Sequence, residues 1–305
     1  NIRVGRSQNF ISVACEYTNS FLKFNPRIEL ILNVDADHLD FFKDLDDIRH
    51  SFRLFSEKLD KDGVLIINGE IPNLDYFTKE LPCKVITYGL EAGDSYTAKN
   101  ISFNEYACGS YDLYINGKML THIDLNVTGL HNVSNSLAAI AAARELEISM
   151  DAIKSGLLKF KGTDRRFEYK GEINGITILD DYAHHPTEIE ATLTAAKNYP
   201  HRKIWCAFQP HTYTRTKALL KDFAKALSLA DHVVLADIYA AREVDTGEIH
   251  SRDLLAEIKN YGAEADYFPS FEEIEQFLLN NCAHGDLIIT MGAGDIVNVG
   301  EALLK

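Results

Sequence analysis

The sequence has 305 residues, 46% of them hydrophobic, which is enough apolar material for about two domains of ordinary size. Its formal net charge of −14 argues against nucleic-acid partners, because an acidic surface repels a phosphate backbone. The five cysteines are scattered without a CxxC pair, which argues against a disulfide framework or structural zinc and predicts reduced thiols in a cytoplasmic protein.

The chain begins Asn1-Ile2-Arg3-Val4-Gly5, with neither an initiator methionine nor a signal-peptide pattern. No apolar run approaches the roughly 20 residues that a membrane-spanning helix needs. We therefore expect a chain that starts partway through a longer protein and does not insert into a membrane.

The first half of the chain alternates short apolar runs with longer amphipathic stretches, a pattern typical of α/β proteins. We predict a helix at residues 45–59 and strands at residues 11–16, 28–34, 64–68 and 84–88. Residues 96–127 instead alternate polar and apolar positions, with turn signals at 108–110 and at Asn116-Gly117, and this predicts a hairpin region. Two helices are predicted after it, at residues 131–146 and 150–158.

The polar segment FKGTDRR (residues 160–166) predicts a domain boundary, dividing the chain into residues 1–163 and 164–305. Beyond it we predict strands at residues 167–173, 176–181, 203–208, 232–236 and 286–290. The helices between and after them are predicted at residues 186–198, 214–229, 251–261, 271–280 and 296–304. Such alternation is typical of a mostly parallel sheet, whose ligands bind beyond the carboxyl ends of the strands.

Two acidic motifs follow predicted strands in the first half. Glu16 ends the first strand, where a carboxylate can bind Mg²⁺, although a solvated strand-end glutamate is the commoner case. Asp35, Asp37, His38 and Asp40 lie close together after the second strand. They can hold a divalent cation or, alternatively, cap the following helix.

Two further motifs lie around the predicted boundary. Asn132 and Asn135 are one helical turn apart, and their amides suit an adenine edge, but helix capping explains them too. Residues 160–166, at the predicted boundary, are called the linker below. An arginine of this linker, such as Arg166, can reach a transferring phosphoryl group, or it can form an ordinary surface ion pair.

The densest motifs follow strands of the second half. DDYAHHPTE (residues 180–188) concentrates titrating groups to a degree that is rare in a solvated loop, so it favours a functional site. FQPHTYTRT (residues 208–216) places Arg215 in the first turn of a helix, where it suits a ligand carboxylate or lies exposed on the helix flank. Gly292 and Gly294 lack the third glycine of a dinucleotide fingerprint, which excludes NAD or FAD binding.

Together and in this order, the motifs from Glu16 to about Gly294 resemble the Mur ligase superfamily. DDYAHHPTE and FQPHTYTRT are similar to its L-alanine-adding branch. The resemblance implies a partial central ATP-binding domain, with its mostly parallel sheet and hairpin region, and a C-terminal Rossmann-like domain that positions an amino acid. It also implies a cytoplasmic ligase of peptidoglycan synthesis, which serves cell-wall formation, cell shape and division.

The resemblance implies a two-step reaction that uses ATP and Mg²⁺. The lactyl carboxylate of UDP-N-acetylmuramate attacks the γ-phosphate of ATP, and the amine of L-alanine then attacks the acyl phosphate and releases phosphate. Such chemistry depends on cations around the spreading charge and on placement of the reactants.

The same resemblance implies a role for each candidate residue. Glu16 and His38 would bind Mg²⁺. The nucleotide contacts would be His131, Asn132 and Asn135 at the base, Arg166 at a phosphate, and Asp181 at the ribose or the linker. Tyr182, His185 and Arg215 would face the reacting end, where Arg215 binds the L-alanine carboxylate. The catalytic candidates are Arg166, His185 and Arg215.

Two departures from the family pattern matter. The sequence has no GxxxxGK[ST] phosphate loop, which in the family lies upstream of the position of Glu16, as does the UDP-sugar domain. We therefore expect this chain alone to be inactive. Thr212 stands where some relatives carry a second arginine. Two other functions stay open, namely a sister ligase that attaches a murein tripeptide and a non-catalytic nucleotide-binding module.

Overall fold

The computed structural model describes residues 5–39, 41–91 and 93–305. The chain divides into two compact units, Asn1–Asp94 and Ser95–Lys305. The domain boundary predicted between residues 163 and 164 lies inside the second unit and stays a prediction. No helix of the described part is both long and apolar enough to cross a membrane.

The first unit is built on three parallel strands. A 3₁₀ helix (Tyr17–Lys23) precedes β1 (Ile28–Ile31), α1 (Leu45–Ser56), β2 (Val64–Asn68), α2 (Leu74–Thr78) and β3 (Lys84–Gly89). β2 pairs in parallel with both β1 and β3. Leu65 and Ile67 of β2 are fully buried and pack with Phe77 of α2. The strands and the helix α1 lie close to their predicted positions.

The strand predicted at residues 11–16 is wrong. No strand of the described residues pairs with this segment, and Ile11 and Val13 are 88% and 98% exposed. An apolar run forms a strand only when its backbone groups find partners, and here its residues find none in a sheet. Glu16 therefore lies at the start of the 3₁₀ helix instead of at a strand end.

Glu29 on β1 is a buried carboxyl group with only one hydrogen-bond partner. Its Oε1 accepts a hydrogen bond from Ser56 Oγ at 3.1 Å, whereas its Oε2 has no partner among the described residues. Burial raises the pKa of Glu29 from 4.5 to about 8, and the Ser56 hydrogen bond only partly opposes this. Glu29 is therefore mostly neutral in the folded protein at pH 7.

This burial predicts that the first unit loses stability as the pH rises from 4.5 to about 8, because the unfolded chain ionises Glu29 first. At about 1.4 kcal/mol for each pH unit, the loss is roughly 3 kcal/mol at pH 7. Glu29→Gln removes this titration, so its melting temperature relative to the wild type should increase from pH 5 to pH 8 in calorimetry. The exposed Glu105→Gln is the control, and a Glu29→Gln difference that stays constant with pH would contradict the prediction.

The second unit begins with an antiparallel meander. β4 (Tyr96–Phe103), β5 (Cys108–Ile115) and β6 (Lys118–Thr128) pair in succession and are followed by α3 (Leu130–Glu145) and α4 (Met150–Lys159). The predicted turn at Asn116-Gly117 is confirmed, and both residues have positive φ. The turn predicted at residues 108–110 is wrong, because Cys108 opens β5. The chain reverses just before it, where Asn104 Oδ1 accepts hydrogen bonds from the backbone N–H groups of Tyr106 and Cys108.

A six-stranded sheet with helices on both faces follows. Its strands are β7 (Glu168–Ile173), β8 (Ile176–Asp181), β9 (Ile204–Phe208), β10 (His232–Leu235), β11 (Glu264–Tyr267) and β12 (Leu287–Met291). Its helices are α5 (Pro186–Ala196), α6 (Tyr213–Ala218), α7 (Leu220–Leu227), α8 (Ser251–Asn260), α9 (Phe271–Asn281) and α10 (Val297–Leu303). The sequence did not predict β11, and the helix predicted at residues 214–229 is interrupted at Leu219.

The strand order is β11-β10-β9-β12-β8-β7, and only β7 is antiparallel to its neighbour. Alternate residues of β9 enter two separate apolar clusters, one containing Cys206 and the other Trp205 and Ala207, so both faces of the sheet are buried. The predicted α/β class with a mostly parallel sheet is confirmed. Because β12 lies between β8 and β9, the carboxyl ends of these strands meet where the polar motifs follow.

Candidate functional site

A buried ion pair fixes the linker to the sheet. Asp180, near the end of β8, is fully buried, and its Oδ2 lies 2.8 Å from Arg165 Nε. Its Oδ1 accepts a hydrogen bond from Thr290 Oγ1 on β12 at 2.7 Å. Arg165 also donates to the carbonyl oxygens of Gly292 at 2.7 Å and Gly294 at 3.2 Å. We call Arg165, Asp180 and these two carbonyl groups the linker clamp.

The backbone of the linker is held at the same edge of the sheet. Arg165 N–H donates to Glu168 Oε2 at 2.8 Å, and Tyr182 N–H donates to the Arg165 carbonyl at 2.6 Å. Phe167 N–H donates to Asp181 Oδ2 at 2.8 Å. Arg165 and Phe167 have φ values of 58° and 49°, a region that non-glycine residues avoid, so these contacts maintain a strained turn.

Asp181 uses both of its carboxylate oxygens within the protein. Besides Phe167, it accepts hydrogen bonds from Ala183 N–H at 2.8 Å and from Thr192 Oγ1 at 3.1 Å. Burial raises the pKa of Asp181, while these hydrogen bonds and Arg166 lower it. Its contacts are those of an anchor for the linker, and the ribose contact stays a prediction.

Arg166 is presented to solvent beside two other candidate residues. Its side chain is 49% exposed, NH1 lies 3.5 Å from Glu188 Oε1, and the guanidinium lies 5.6 Å from the centre of the Tyr182 ring. Surrounding protein and, second, the positive charge of Arg166 lower the pKa of His131. The structure therefore places Arg166 of the linker beside Tyr182 of the strand-end motif, and the charge of Arg166 acts on His131 of α3.

The amide residues of α3 have different surroundings. Asn132 Nδ2 donates to the Thr128 carbonyl at 2.8 Å, and Asn135 Nδ2 lies 3.4 Å from Asn132 Oδ1. Asn135 is exposed, so its amide reaches the surface at the start of the helix. Gly129 is required before α3, because its φ is 88° and a Cβ there would lie 2.7 Å from the His131 ring.

Arg215 lies at the end of a row of aromatic rings. The His211 ring is 5.6 Å from His184 and 5.6 Å from Tyr239, and its Nδ1 is 3.1 Å from Arg215 NH1. Burial, followed by the charges of His184 and Arg215, lowers the pKa of His211 to about 4. A neutral His211 can accept a hydrogen bond from the guanidinium, and this orients Arg215 at the carboxyl end of β9.

His185 is the N-cap of α5. Its Nδ1 accepts a hydrogen bond from Thr187 N–H at 3.4 Å, and Pro186 occupies the first turn. Its predicted catalytic role stays a prediction. His184 is the histidine of the pair that contacts His211. His184, His211 and Arg165 lie in the DDYAHHPTE, FQPH and DRR motifs but were not predicted as site residues.

The loop after β12 packs tightly against Gln209. Gln209 Oε1 accepts hydrogen bonds from Asp295 N–H at 2.8 Å and Ile296 N–H at 3.2 Å. A Cβ on Gly292 would lie 2.7 Å from the Gln209 carbonyl oxygen, and one on Gly294 would overlap Gln209 Oε1. These two glycines allow the ends of β9 and β12 to approach each other.

The predicted metal ligands lie in the first unit. His38 Nε2 is 3.7 Å from Glu16 Oε1 and 3.8 Å from Asp37 Oδ2. Asp40, which the same prediction included, lies outside the described residues. Within the described residues, no group of three or more His, Cys, Asp or Glu side chains is placed to hold a metal ion. The Glu16 carboxylate is of the kind that suits Mg²⁺, which takes few protein ligands and completes its shell with water and phosphate, and binding of the ion by Glu16 and His38 stays a prediction.

Comparison with known proteins identifies the family of the chain. Sequence profiles of the Mur ligase middle domain and of the Mur ligase glutamate ligase domain match residues 13–143 and 165–294. A UDP-N-acetylmuramate–L-alanine ligase of Lachnospira eligens is 60% identical over 306 residues, which cover 100% of this chain and 67% of the relative. The chain belongs to the Mur ligase family. Nucleotide use is a property of this family.

Two solved structures resemble this Mur ligase chain. A UDP-N-acetylmuramate–alanine ligase from Thermotoga maritima has a TM-score of 0.76 and 29% identity, covering 94% of this chain and 60% of its own. A murein peptide ligase from Psychrobacter arcticus has a TM-score of 0.66 and 24% identity, covering 93% and 58%. The second likeness shows the fold alone. The chain spans about two thirds of the length of the curated relatives it matches.

The packing of the Gly292–Gly294 loop generates a prediction. Gly294→Ala should destabilise the protein by about 1–3 kcal/mol, because the methyl group overlaps the hydrogen-bonded Gln209 side chain. Gly156→Ala on the exposed face of α4 meets no atom within 4 Å and should stabilise by roughly 0.5–1 kcal/mol. Urea unfolding followed by circular dichroism measures both, and a neutral Gly294→Ala would contradict the tight contact.

Proposed function

We propose that this chain is the nucleotide-binding and acceptor-positioning part of a ligase that joins the lactyl carboxylate of UDP-N-acetylmuramate to L-alanine. ATP would be converted to ADP and phosphate. The observation that carries the proposal is that Arg166 and the Arg215–His211 pair lie at the same carboxyl edge of the sheet, near the ends of β8 and β9, which flank β12. The relatives from Lachnospira eligens and Thermotoga maritima, whose names specify this reaction, support it.

Arg166 and the start of α3 form the proposed nucleotide side. The half-exposed guanidinium of Arg166 suits the negative charge of a phosphoryl group, and such a preplaced cation stabilises charge that develops during transfer. His131, Asn132 and Asn135 would contact the adenine base. A lowered pKa favours the neutral form of the His131 ring, whose unprotonated nitrogen can accept a hydrogen bond.

Arg215 forms the proposed acceptor side. Its guanidinium would bind the carboxylate of L-alanine through two parallel hydrogen bonds, as arginine favours. Neutral His211 would accept a hydrogen bond from the NH1 group of the same guanidinium. Tyr182 and His185 would complete this side. Thr212 brings no positive charge, so we assign recognition of the carboxylate to Arg215.

Glu16 and His38 are the residues that would hold Mg²⁺, which when bound supplies positive charge against the phosphates. With a net charge of −14, the chain attracts its anionic substrates through a few placed cations instead of an overall field. We place the enzyme in the cytoplasm, in the synthesis of peptidoglycan precursors, with no nucleic-acid partner.

The test is ADP release by a full-length ligase that carries this sequence, supplied with UDP-N-acetylmuramate and one acceptor at a time. We expect release with L-alanine. Release only with a murein tripeptide would assign the chain to the sister branch, and silence with every acceptor would favour a binding module. The isolated chain should show no turnover, because its sequence contains no phosphate loop; turnover by this chain would refute that expectation.

The acceptor assignment gives a specific prediction for the full-length ligase. Arg215→Ala should raise KM for L-alanine about 10- to 100-fold, as expected when a charged hydrogen bond worth about 1.5–3 kcal/mol is lost. KM for ATP should stay near the wild-type value. Lys217→Ala is the matched control, because Lys217 lies two residues further along α6 and pairs with Glu248 at the surface. Equal effects of the two substitutions on KM for L-alanine would contradict the assignment.

A further inference from the structure

The linker carries two adjacent arginines that have opposite surroundings. Arg165 directs its guanidinium to a buried carboxylate and two backbone carbonyl groups, all at 3.2 Å or less. Arg166 keeps half of its side chain exposed, and its ion pair with Glu188 is long, at 3.5 Å. The guanidinium of Arg165 thus bonds within the protein, whereas that of Arg166 is half exposed to solvent.

We propose that Arg165 is a positioning residue, which ties the linker to the carboxyl ends of β8 and β12 and thereby holds Arg166 beside Tyr182 and Glu188. That Arg166 then meets a phosphate rests on the proposed function. The positioning itself concerns only this chain and needs no ligand.

The backbone of the linker explains why such a residue is needed. Arg166 lies between two non-glycine residues with left-handed backbone, Arg165 and Phe167. This conformation is unfavourable by itself and persists only where surrounding contacts determine it. Arg165 is held through its side chain, which bonds to Asp180 in the linker clamp. Phe167 is held through its backbone N–H, which donates to Asp181. Releasing Arg165 would let the turn relax and Arg166 change direction.

The geometry of the linker clamp requires an arginine. Nε and both terminal nitrogens of Arg165 reach three different acceptors, one on β8 and two in the loop after β12. A planar guanidinium presents donors in this fixed fork, whereas a lysine ammonium is a single point charge. Lysine at position 165 would keep the charge beside Asp180 and lose the connection to β12.

The pKa of His131 responds to the charge of Arg166 and can therefore report a change in its position. Arg166 is the charged group that lowers the pKa of His131, in addition to the effect of the surrounding protein. If Arg166 moves away, the pKa of His131 should rise towards its ordinary value of 6.5. NMR titration of the His131 imidazole in the 305-residue chain measures this without nucleotide or turnover.

The decisive variant is the double substitution Arg165→Met with Asp180→Asn. It removes two opposite and adjacent charges together, so no buried carboxylate is left unpaired and their direct field at His131 nearly cancels. We expect the pKa of His131 to rise in this variant even though Arg166 is present. The same rise is expected in Arg166→Gln, which removes the charge itself. Arg165→Lys, which is expected to fold in any case, should shift the pKa of His131 in the same direction.

A purely structural role of Arg165 predicts a different result. Leu278→Ala removes a fully buried side chain of α9 and should lower the melting temperature without changing the pKa of His131. A folded double variant whose His131 titrates as in the wild type would overturn the proposal. A wild-type pKa of His131 in Arg165→Lys would contradict the requirement for an arginine at position 165. A wild-type pKa of His131 in Arg166→Gln would contradict the placement of Arg166 from which the proposal starts.

Discussion

The ion pair between Arg165 and Asp180 is the interaction on which the rest of the site depends. A carboxylate as buried as Asp180 is strongly unfavourable unless it is paired and hydrogen-bonded, and here Arg165 and Thr290 satisfy it. The same guanidinium binds the loop that follows β12. One buried charge therefore joins the glycine loop to the linker, which carries Arg166, and to the end of β8, where Asp181 and Tyr182 lie.

The two sides of the site use positive charge in the same way. Arg166 and Arg215 are each accompanied by a histidine whose pKa is lowered, His131 on one side and His211 on the other. Neutral rings next to arginines provide acceptors for hydrogen bonds without adding repulsion between cations. In a chain with a net charge of −14, Arg166 and Arg215 would in this arrangement form the two proposed local sites for anions on an otherwise acidic protein.

The sequence predicted the sheet and helices well because alternating apolar periods are set by burial on both faces. The prediction failed where the structure of a segment depends on its pairing or hydrogen-bonding partners, which composition does not reveal. Residues 11–16 have the apolar pattern of a strand, but no strand in the described part of the chain pairs with them. The edge strand β11 is short and contains polar residues, so its sequence does not resemble that of a buried strand. The turn before β5 is formed by an asparagine side chain, so a glycine signal placed it a few residues too late.

The functional residues show the same limit. Arg165 and Arg166 are identical neighbours. The anchored arginine is distinguished by its contacts with Asp180 and with Gly292 and Gly294, the last two more than a hundred positions away. The aspartates of DDYAHHPTE were recognised as important from their density. Their part in holding a strained linker follows from backbone conformation, which composition does not encode. The glycines after β12 likewise serve close packing against Gln209, which their spacing alone does not reveal.

The most direct test of this account is a double-mutant cycle on Arg165 and Asp180. Unfolding by urea would be followed through Trp205, the single tryptophan, which lies on β9 of the same sheet. We predict a coupling free energy of roughly 3 kcal/mol or more, as expected for a buried pair in which loss of either partner leaves the other unsatisfied. A coupling below about 0.5 kcal/mol, as found for exposed ion pairs, would contradict the central role of this interaction.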